Sequence, residues 1–286
     1  MTELADSGPV TYDDAVTQYV EMGRRTYAYR RLGPRTGTPL LLCMRYRGTI
    51  DHWDPALIDV LAGERDVIVF DNRGIGFTGG TPAMTVEGMS AGVRDLLDGL
   101  GLDEDVDILG WSLGGLVAQG AILAQPERFR HLILAGSTLN GVPGQPGYDP
   151  KGRQIDRQGA GTDEEVLYLF FPDTADGRQA GLQSRDRINR RLSVSAAAVT
   201  SGALRGQSHA IDAVGDRYWS RLPELELPVL LANGARDVIV NSYATYSMTL
   251  QLKHAKAILW SDAGHGFLYQ HAEEFGEEVV RFVSRA

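Results

Sequence analysis

The sequence predicts an α/β fold in which helices cover both faces of a mostly parallel β-sheet. Short, continuously apolar runs recur at residues 39–44, 66–70 and 132–135, and such runs are typical of strands buried on both faces. Segments with helical periodicity separate these runs, and this alternation favours a parallel sheet. The 286 residues, 43% of them hydrophobic, suffice for one large α/β domain or two small ones.

The chain opens with a predicted hairpin and the first strand–helix unit. Residues 16–21 and 26–31 read as two strands that turn at Gly23, before the apolar run at 39–44. Asp54 followed by Pro55 indicates a helix through about residue 62, because Asp is a favoured N-cap and Pro suits the first helical position. The run at 66–70 is the next buried strand.

The later elements follow from periodicity. Apolar residues at steps of three and four predict an amphipathic helix over 85–100. A strand at 106–109 and a helix at 114–125 flank Ser112. The remaining predicted elements are strands at 132–135, 229–232 and 257–260, and a closing helix marked by Ala272, Phe275, Val279 and Phe282.

Residues 138–223 interrupt this alternation. They contain a Gly/Pro-rich stretch at 141–147, a short apolar helix near 164–171 and scattered arginines. A long insertion between two strands of a sheet is usually functional. We expect a mostly helical cap at 138–223, on a core formed by residues 1–137 and 224–286.

Charge and cysteine content exclude several classes of protein. The net charge of −9 argues against a general affinity for nucleic acid or anionic membranes, although a local arginine could still hold a small anion. Cys43 is the single cysteine, so an internal disulfide is excluded. Residues 1–9 lack the apolar segment of a signal peptide, and apolar runs fall short of the roughly eighteen residues that span a bilayer. We expect a cytoplasmic protein.

The stretch Gly110-Trp111-Ser112-Leu113-Gly114 matches the nucleophile-elbow pattern G-x-S-x-G. A buried strand precedes it and a helix follows, which is the context that the pattern requires. Glycines two positions from the serine let the backbones approach closely in a strained turn. Ser112 would also lie at a helix N-terminus, where the dipole favours a developing oxyanion. Ser112 is therefore the candidate nucleophile, against the alternative of a Gly-rich turn with an incidental serine.

A serine nucleophile needs a base, and His265 is the best of six histidines. It lies in a glycine-flanked loop between the last strand and the last helix, at the sheet edge expected for Ser112. A histidine with only a turn role is the alternative. The others are expected in loops or on helices, where solvated or capping roles are usual: His52, His131, His209, His254 and His271.

Asp237 is the candidate acid that orients His265. It follows the predicted strand at 229–232, and the 28 residues to His265 leave room for one helix and one strand. The order Ser, Asp, His is the one that a fold with this elbow uses. Asp262 is the rival, but three residues before His265 it would more naturally brace the loop.

These motifs resemble those of the α/β-hydrolase superfamily along nearly the whole chain, in the branch of small-molecule esterases, lactonases, C–C hydrolases and cofactor-free haloperoxidase-like enzymes. The resemblance rests on the elbow, on Asn233-Gly234-Ala235-Arg236-Asp237, on Ala263-Gly264-His265 and on residues 70–76. It implies an eight-stranded, mostly parallel sheet with flanking helices and a helical cap. In the loop at 71–76, it implies that Asp71 and Arg73 have a structural role.

One departure from the family concerns the oxyanion hole. The family usually carries His-Gly after the third strand, where this chain has Met44-Arg45. Alignment at this strand end implies that Tyr46 and Leu113 give the two backbone N–H donors. A backbone N–H donor does not depend on a particular side chain, so the oxyanion hole can form without His-Gly. Arg45 and Arg47 could bind a substrate carboxylate or phenolate, but solvated arginines, or pairing with Asp51 or Asp54, are favoured.

The predicted function is hydrolysis of a carboxylic ester or lactone of a small, largely apolar molecule through an acyl-enzyme. C–C bond hydrolysis or perhydrolysis on the same residues is the alternative enzyme, and a ligand-binding protein with little turnover is the alternative class. Neither a metal nor a cofactor is expected, since no pattern of metal ligands is present. A homodimer is compatible with the sequence. The predicted substrate contacts are Trp111, Arg47, Tyr168, Phe171, Trp219 and Phe267, with Leu167 and Phe170 as further apolar candidates in the cap. Core packing is the open alternative for the apolar candidates: Trp111, Leu167, Tyr168, Phe170, Phe171 and Trp219.

Overall fold

A computed structural model describes residues 10–137, 142–158 and 162–285. Eight strands form one sheet: β1 (Gln18–Met22), β2 (Arg25–Leu32), β3 (Leu40–Cys43), β4 (Val67–Phe70), β5 (Val106–Trp111), β6 (Phe129–Ala135), β7 (Val229–Gly234) and β8 (Ala255–Trp260). Their order in the sheet is β1-β2-β4-β3-β5-β6-β7-β8. Strand β2 is antiparallel to both of its neighbours, β1 and β4, and the remaining neighbouring pairs are parallel. The predicted sheet is confirmed.

The predicted strands are confirmed with small shifts at their ends. Gly23 forms the hairpin turn with φ +63°, a conformation that glycine adopts without strain. Strand β6 starts at Phe129, three residues earlier than predicted. His131 therefore lies within a strand, where its ring contacts Asp107 at 2.8 Å, and its predicted place in a loop or helix is wrong.

Ten α-helices are present in the described residues: α1 (Pro55–Glu64), α2 (Val86–Gly99), α3 (Leu113–Ala124), α4 (Pro150–Gln158), α5 (Asp163–Phe170), α6 (Ala175–Leu192), α7 (Ser201–Ala213), α8 (Ser242–Thr249), α9 (Phe267–Gln270) and α10 (Ala272–Val283). The Asp54 carboxylate caps α1, as predicted, by accepting from the N–H of Ala56. In this part of the chain, no helix combines the length and apolar character needed to cross a membrane.

Two apolar layers cover the sheet because successive side chains of a strand point to opposite faces. Leu41 and Ile108 join the layer that includes residues of α2 and α3. Leu42 and Leu109 join the other, with residues of α1 and α10. The central strands are buried on both faces, and their carboxyl ends form one edge, at which ligands bind in folds of this class.

Helices α4 to α7 lie between β6 and β7 and form a helical insertion, in the region predicted to be a cap. Residues 138–141 and 159–161 lie outside the described residues, so the limits 138–223 of the cap stay a prediction. Residue 141, the first of the predicted loop at 141–147, is among them. Sequence periodicity predicted α5 but not the longer α6 and α7.

Polar contacts to a buried carboxylate hold the insertion to the core. The Arg187 guanidinium of α6 binds both oxygens of Asp54, at 2.7 and 2.8 Å, and the Ser184 hydroxyl donates to the same carboxylate at 2.6 Å. Asp54 is fully buried. Helix α6 is thereby fixed over the carboxyl edge of the sheet.

Candidate active site

Ser112 lies in the turn between β5 and α3. Its φ of 54° and ψ of −122° are strained for a residue with a side chain. The turn is close-packed: a Cβ at Gly110 would lie 2.4 Å from the Gly114 carbonyl oxygen, and one at Gly114 would lie 2.0 Å from the Cys43 carbonyl oxygen. The Ser137 hydroxyl donates to the Ser112 carbonyl at 2.8 Å. Both flanking glycines are thus required sterically, as the motif predicted.

His265 and Asp237 are in direct contact. The distance from His265 Nδ1 to Asp237 Oδ2 is 2.7 Å, and both side chains are buried. Asp237 Oδ1 accepts from the backbone N–H groups of Ile239 and Val240, each at 2.8 Å. Because both carboxylate oxygens are used, the carboxylate is fixed in orientation, and Nδ1 is the ring nitrogen that donates to it.

Asp262, the rival acid, contacts a different histidine. Its Oδ1 lies 3.1 Å from His271 Nε2, and its carbonyl accepts from the Gln270 side chain at 2.9 Å. Both contacts brace the loop that follows β8, which is the role that the sequence suggested for Asp262.

The backbone around His265 is positioned from two sides. The Trp111 indole donates to the His265 carbonyl at 3.2 Å, and the Gly266 N–H donates to the Phe170 carbonyl of α5 at 2.6 Å. Gly136, with φ +48°, would place a Cβ 3.2 Å from His265 Nδ1. Gly136 is a supporting residue that the sequence reasoning missed, although its place directly after a buried strand was a usable signal.

The start of α3 lies against the end of β3. The close approach of Gly114 to Cys43 brings Leu113 beside the loop that carries Tyr46, and both residues line the same cavity. The N–H of a first helical residue has no acceptor within its own helix. The Tyr46 phenol shares a hydrogen bond of 2.7 Å with the Ser208 hydroxyl of α7.

A cavity of about 410 Å³ lies between the carboxyl edge of the sheet and the helical insertion. Ser112 and His265 both line it. Its polar wall includes Arg45, Arg47, Arg185, His52 and Asn189, and its apolar wall includes Leu116, Val166, Leu169, Phe170, Ile188, Leu192, Ile211, Ile239 and Val240. This volume lies within the range typical of small-molecule sites.

Of the six predicted substrate contacts, Arg47 alone is among the described residues of this wall. Trp111 is fully buried and packs against the ring of His265, with centroids 5.7 Å apart. Phe267 is also fully buried, and stacks on Trp260. Phe171 is 6% exposed and packs on Gly181 of α6. Since these three rings fill the core, their prediction as substrate contacts is corrected.

Tyr168 and Trp219 are partly buried and are not among the described residues that line the cavity. The Tyr168 hydroxyl donates to Asp149 at 2.9 Å, and Lys151 lies over its ring. Trp219 packs against the apolar layer that includes residues of α2 and α3. Leu167 is likewise a core residue, whereas Phe170, the neighbour of Phe171, does line the cavity.

Asp51 and Asp54, the partners suggested for the two arginines of the β3 loop, bind Arg30 and Arg187. The Arg45 guanidinium lies over the rings of Trp111 and Phe170, at 5.2 and 4.8 Å from their centroids.

His52 is a cavity residue that the sequence reasoning passed over. Its Nδ1 accepts from the Thr49 N–H at 3.1 Å. Burial, reinforced by the charge of Arg45, lowers the pKa of His52 to about 3, so the ring is neutral near pH 7. Its position in the loop after β3, at the edge that carries the elbow, was the available signal.

Known proteins resemble this chain over most of its length. A family model described as the alpha/beta hydrolase fold matches residues 38–272. The structure of an alpha/beta hydrolase fold protein from Chitinophaga pinensis is similar with a TM-score of 0.87 and 30% identity, covering 96% of this chain and all (100%) of that chain.

Three curated relatives have related sequences. A putative carbamate hydrolase, RutD, from Rhizobium rhizogenes is 26% identical over 260 residues, 85% of this chain and 92% of the relative. A pimeloyl-(acyl-carrier protein) methyl ester esterase from Neisseria meningitidis is 29% identical over 190 residues, 64% of this chain and 58% of the relative. The polyketide synthase ThaQ from Burkholderia thailandensis is 28% identical over 236 residues, 79% of this chain but 11% of that much longer protein. With the family match over residues 38–272, the chain belongs to the alpha/beta hydrolase fold family.

Proposed function

We propose that the protein is a serine hydrolase that cleaves a carboxylic ester or lactone of a small molecule through an acyl-enzyme. The observation that carries the proposal is the 2.7 Å contact between His265 and the buried Asp237, at a cavity that Ser112 also lines. A nucleophile on a strained elbow, a base and an orienting acid are the parts that this chemistry requires.

In the proposed mechanism, Ser112 Oγ attacks the carbonyl carbon of the substrate while His265 Nε2 takes the hydroxyl proton. Asp237 holds the Nδ1–H tautomer and stabilises the imidazolium that forms. His265 then protonates the leaving alcohol. In the second half-reaction, His265 takes a proton from water as the water oxygen attacks the acyl-enzyme. His265 then returns this proton to Ser112 Oγ when the bond to the acyl group breaks and the acid leaves.

The N–H groups of Leu113 and Tyr46 are the proposed oxyanion donors. Their placement is supported by the close approach of α3 to the end of β3. Groups fixed before the reaction stabilise the tetrahedral oxyanion without reorganisation, and each such donor is worth about 10²–10³ in rate. The replacement of His-Gly by Met44-Arg45 leaves a backbone donor at Tyr46 in place.

An ester or lactone is the favoured substrate because the apolar wall of the cavity suits an uncharged acyl chain. The names of the relatives, a methyl ester esterase and a putative carbamate hydrolase, support acyl transfer to water. C–C bond hydrolysis would use the same three residues and is the second candidate. A ligand-binding protein would have no need of a carboxylate that orients His265.

The proposal is tested with a fluorophosphonate probe and with p-nitrophenyl acetate. We expect one adduct, mapped to Ser112 by mass spectrometry, and turnover that Ser112→Ala abolishes. Ser220→Ala is the control, since the exposed Ser220 hydroxyl bonds only within its own segment, and this variant should retain labelling. An adduct at another serine, or turnover that survives Ser112→Ala, would contradict the proposed nucleophile.

A further inference from the structure

The loop after β3 contains a tight turn over Arg45–Gly48. The Gly48 N–H donates to the Arg45 carbonyl at 3.2 Å, which closes a four-residue β-turn. Of the two central residues, Arg47 has a positive φ of +60° and Tyr46 does not, and this combination matches a type II turn. Glycine or asparagine is usual at the third position of such a turn, so the backbone is strained at Arg47.

The turn decides which way the Tyr46 N–H points. The Arg45 carbonyl and the Tyr46 N–H belong to one planar trans peptide unit, in which the two bonds point in opposite directions. Because that carbonyl accepts from Gly48 inside the turn, the Tyr46 N–H points out of the turn. It has no acceptor among the described residues. This N–H is therefore available to a ligand, as the proposed oxyanion hole requires.

The turn also lies beside the start of α3, which carries the other proposed donor, Leu113. A Cβ at Gly114 would lie 2.9 Å from the Met44 carbonyl oxygen, so α3 packs on the residue just before the turn. Tyr46, Leu113 and Ser112 line one cavity.

The peptide unit between Tyr46 and Arg47 is held from both sides. Its carbonyl accepts from the Arg45 guanidinium at 2.7 Å, and its N–H donates to Gln207 Oε1 of α7 at 3.1 Å. Flipping this unit converts a type II turn into a type I turn, in which both central residues have negative φ. The flip would relieve the strain at Arg47, and the two hydrogen bonds oppose it. Gln207 supplies the one that comes from outside the turn.

Gln207 belongs to a helix that is fixed against the core. The residue before it, Gly206, packs so closely that a Cβ would lie 2.5 Å from the Ala83 carbonyl oxygen. His209 Nδ1 lies 2.9 Å from the Met84 carbonyl oxygen. Gln207 itself is buried, at 3% exposure, and is not among the described residues that line the cavity with Ser112. Its contact is thus with the turn and not with a substrate.

We propose that Gln207 is a positioning residue of the oxyanion hole: its hydrogen bond to Arg47 holds the turn in the strained form from which the Tyr46 N–H donates to the tetrahedral oxygen. The inference rests on the proposed serine hydrolase function and gives a residue of the helical insertion a part in the chemistry. Loss of the bond should let the turn relax, and a misplacement of about 1 Å can cost about 10²-fold in rate. The oxyanion exists only after attack, so the loss should appear in kcat rather than in KM.

Gln207→Met tests the inference, because the side chain keeps its length while a methyl group replaces the amide. Steady-state kinetics on p-nitrophenyl acetate should show a kcat lower by about 10- to 100-fold and a KM within about threefold of the wild type. Ser208→Ala is the matched control. It changes the next residue of α7 and removes the bond to the Tyr46 phenol but leaves the backbone of the turn bound, so its kcat should change less than about tenfold.

A second substitution separates positioning from a loss of packing. Glycine adopts a positive φ without the strain that other residues carry there, so Arg47→Gly in the Gln207→Met background should hold the type II turn without the bond. Relief of this strain at one residue corresponds to about 5- to 30-fold in an equilibrium constant. The kcat of the double variant should exceed that of Gln207→Met by a factor in this range.

Inhibition by a trifluoromethyl ketone gives a readout that a purely structural role would not move. The ketone forms an adduct with Ser112 whose oxyanion occupies the proposed hole. Its inhibition constant should rise for Gln207→Met by the factor by which kcat falls, and should stay near the wild-type value for Ser208→Ala. Circular dichroism and thermal unfolding identify any misfolded variant, and Gln207→Ala is the second variant that lacks the acceptor.

An unchanged kcat in a folded Gln207 variant, or a rise in KM alone, would overturn the inference. An equal fall in Ser208→Ala would overturn it as well, because the effect would then belong to the placement of α7 as a whole. A double variant no faster than Gln207→Met would refute the role of the turn. Turnover that survives Ser112→Ala would contradict the proposed function, whereas turnover that Ser112→Ala abolishes and Gln207→Met leaves unchanged would overturn this inference alone.

Discussion

Replacing Asp237 by Asn should disable catalysis while leaving the fold intact. Asp237 Oδ1 accepts two backbone N–H groups, from Ile239 and Val240, and only the carbonyl oxygen of an Asn amide can accept them. The amide NH2 would then face His265 Nδ1, where Oδ2 now lies at 2.7 Å. Since NH2 donates, the ring would have to accept at Nδ1 and carry its proton on Nε2.

That tautomer presents an N–H to Ser112 and cannot take the hydroxyl proton. In the worked case of a serine protease, the same change leaves the geometry intact and lowers kcat by about 10⁴. We expect a loss of the same order here, about 5.5 kcal/mol in the activation free energy at 1.36 kcal/mol per factor of ten. A residual rate above that in water should remain, because the backbone donors of the oxyanion hole are unaffected.

Steady-state kinetics on p-nitrophenyl acetate measure the loss in kcat, and thermal unfolding followed by circular dichroism shows whether the fold is intact. Asp262→Asn is the matched control, since that exposed carboxylate contacts His271 instead, and its kcat should stay within a few-fold of the wild type. The reasoning is refuted if Asp237→Asn retains more than about a tenth of the wild-type kcat with a native spectrum, or if Asp262→Asn is the variant that loses activity.

Three further changes test the surroundings of the site. Tyr46→Phe removes the hydrogen bond to Ser208 and should lower stability by about 1 kcal/mol while kcat changes less than about tenfold, measured on p-nitrophenyl acetate. Gly114→Ala places a Cβ 2.0 Å from the Cys43 carbonyl oxygen, so it should lower the melting temperature sharply and reduce fluorophosphonate labelling. Asp54→Ala leaves Ser184 and the partly exposed Arg187 of α6 without their carboxylate and removes a helix cap, and should cost about 3 kcal/mol in urea unfolding.

Each of these changes has a contrary outcome. A loss of about 10²–10³ in kcat for Tyr46→Phe, the size of an oxyanion donor, would mean that the phenol acts in the site. Gly63→Ala is the control for Gly114→Ala, because a Cβ at Gly63 of α1 would meet nothing within 4 Å. Equal melting temperatures for the two variants would contradict the steric argument. A cost below about 1 kcal/mol for Asp54→Ala would mean that the contacts to α6 add little stability.

The sequence alone predicted the sheet and the three residues proposed for the chemistry. A strand of a buried parallel sheet has a continuous apolar sequence, because both of its faces are covered. The elbow could also be recognised from local sequence, since Gly110 and Gly114 are required within the same short turn as Ser112. Asp237 and His265 could be selected because each follows a strand, and the carboxyl ends of parallel strands meet at one edge. Their contact at 2.7 Å agrees with that choice.

Which side chains line the cavity could be decided only from the tertiary structure. An aromatic residue beside the nucleophile, such as Trp111, has the same sequence signature whether it faces a substrate or the core, and here it is fully buried. Arg47 gave no signal that separated it from a solvated loop arginine, because its conformation depends on Gln207, 160 residues away. Local propensity fixes which residues form a strand or a turn, whereas the packing of α5, α6 and α7 over the sheet edge decides which side chains face the ligand.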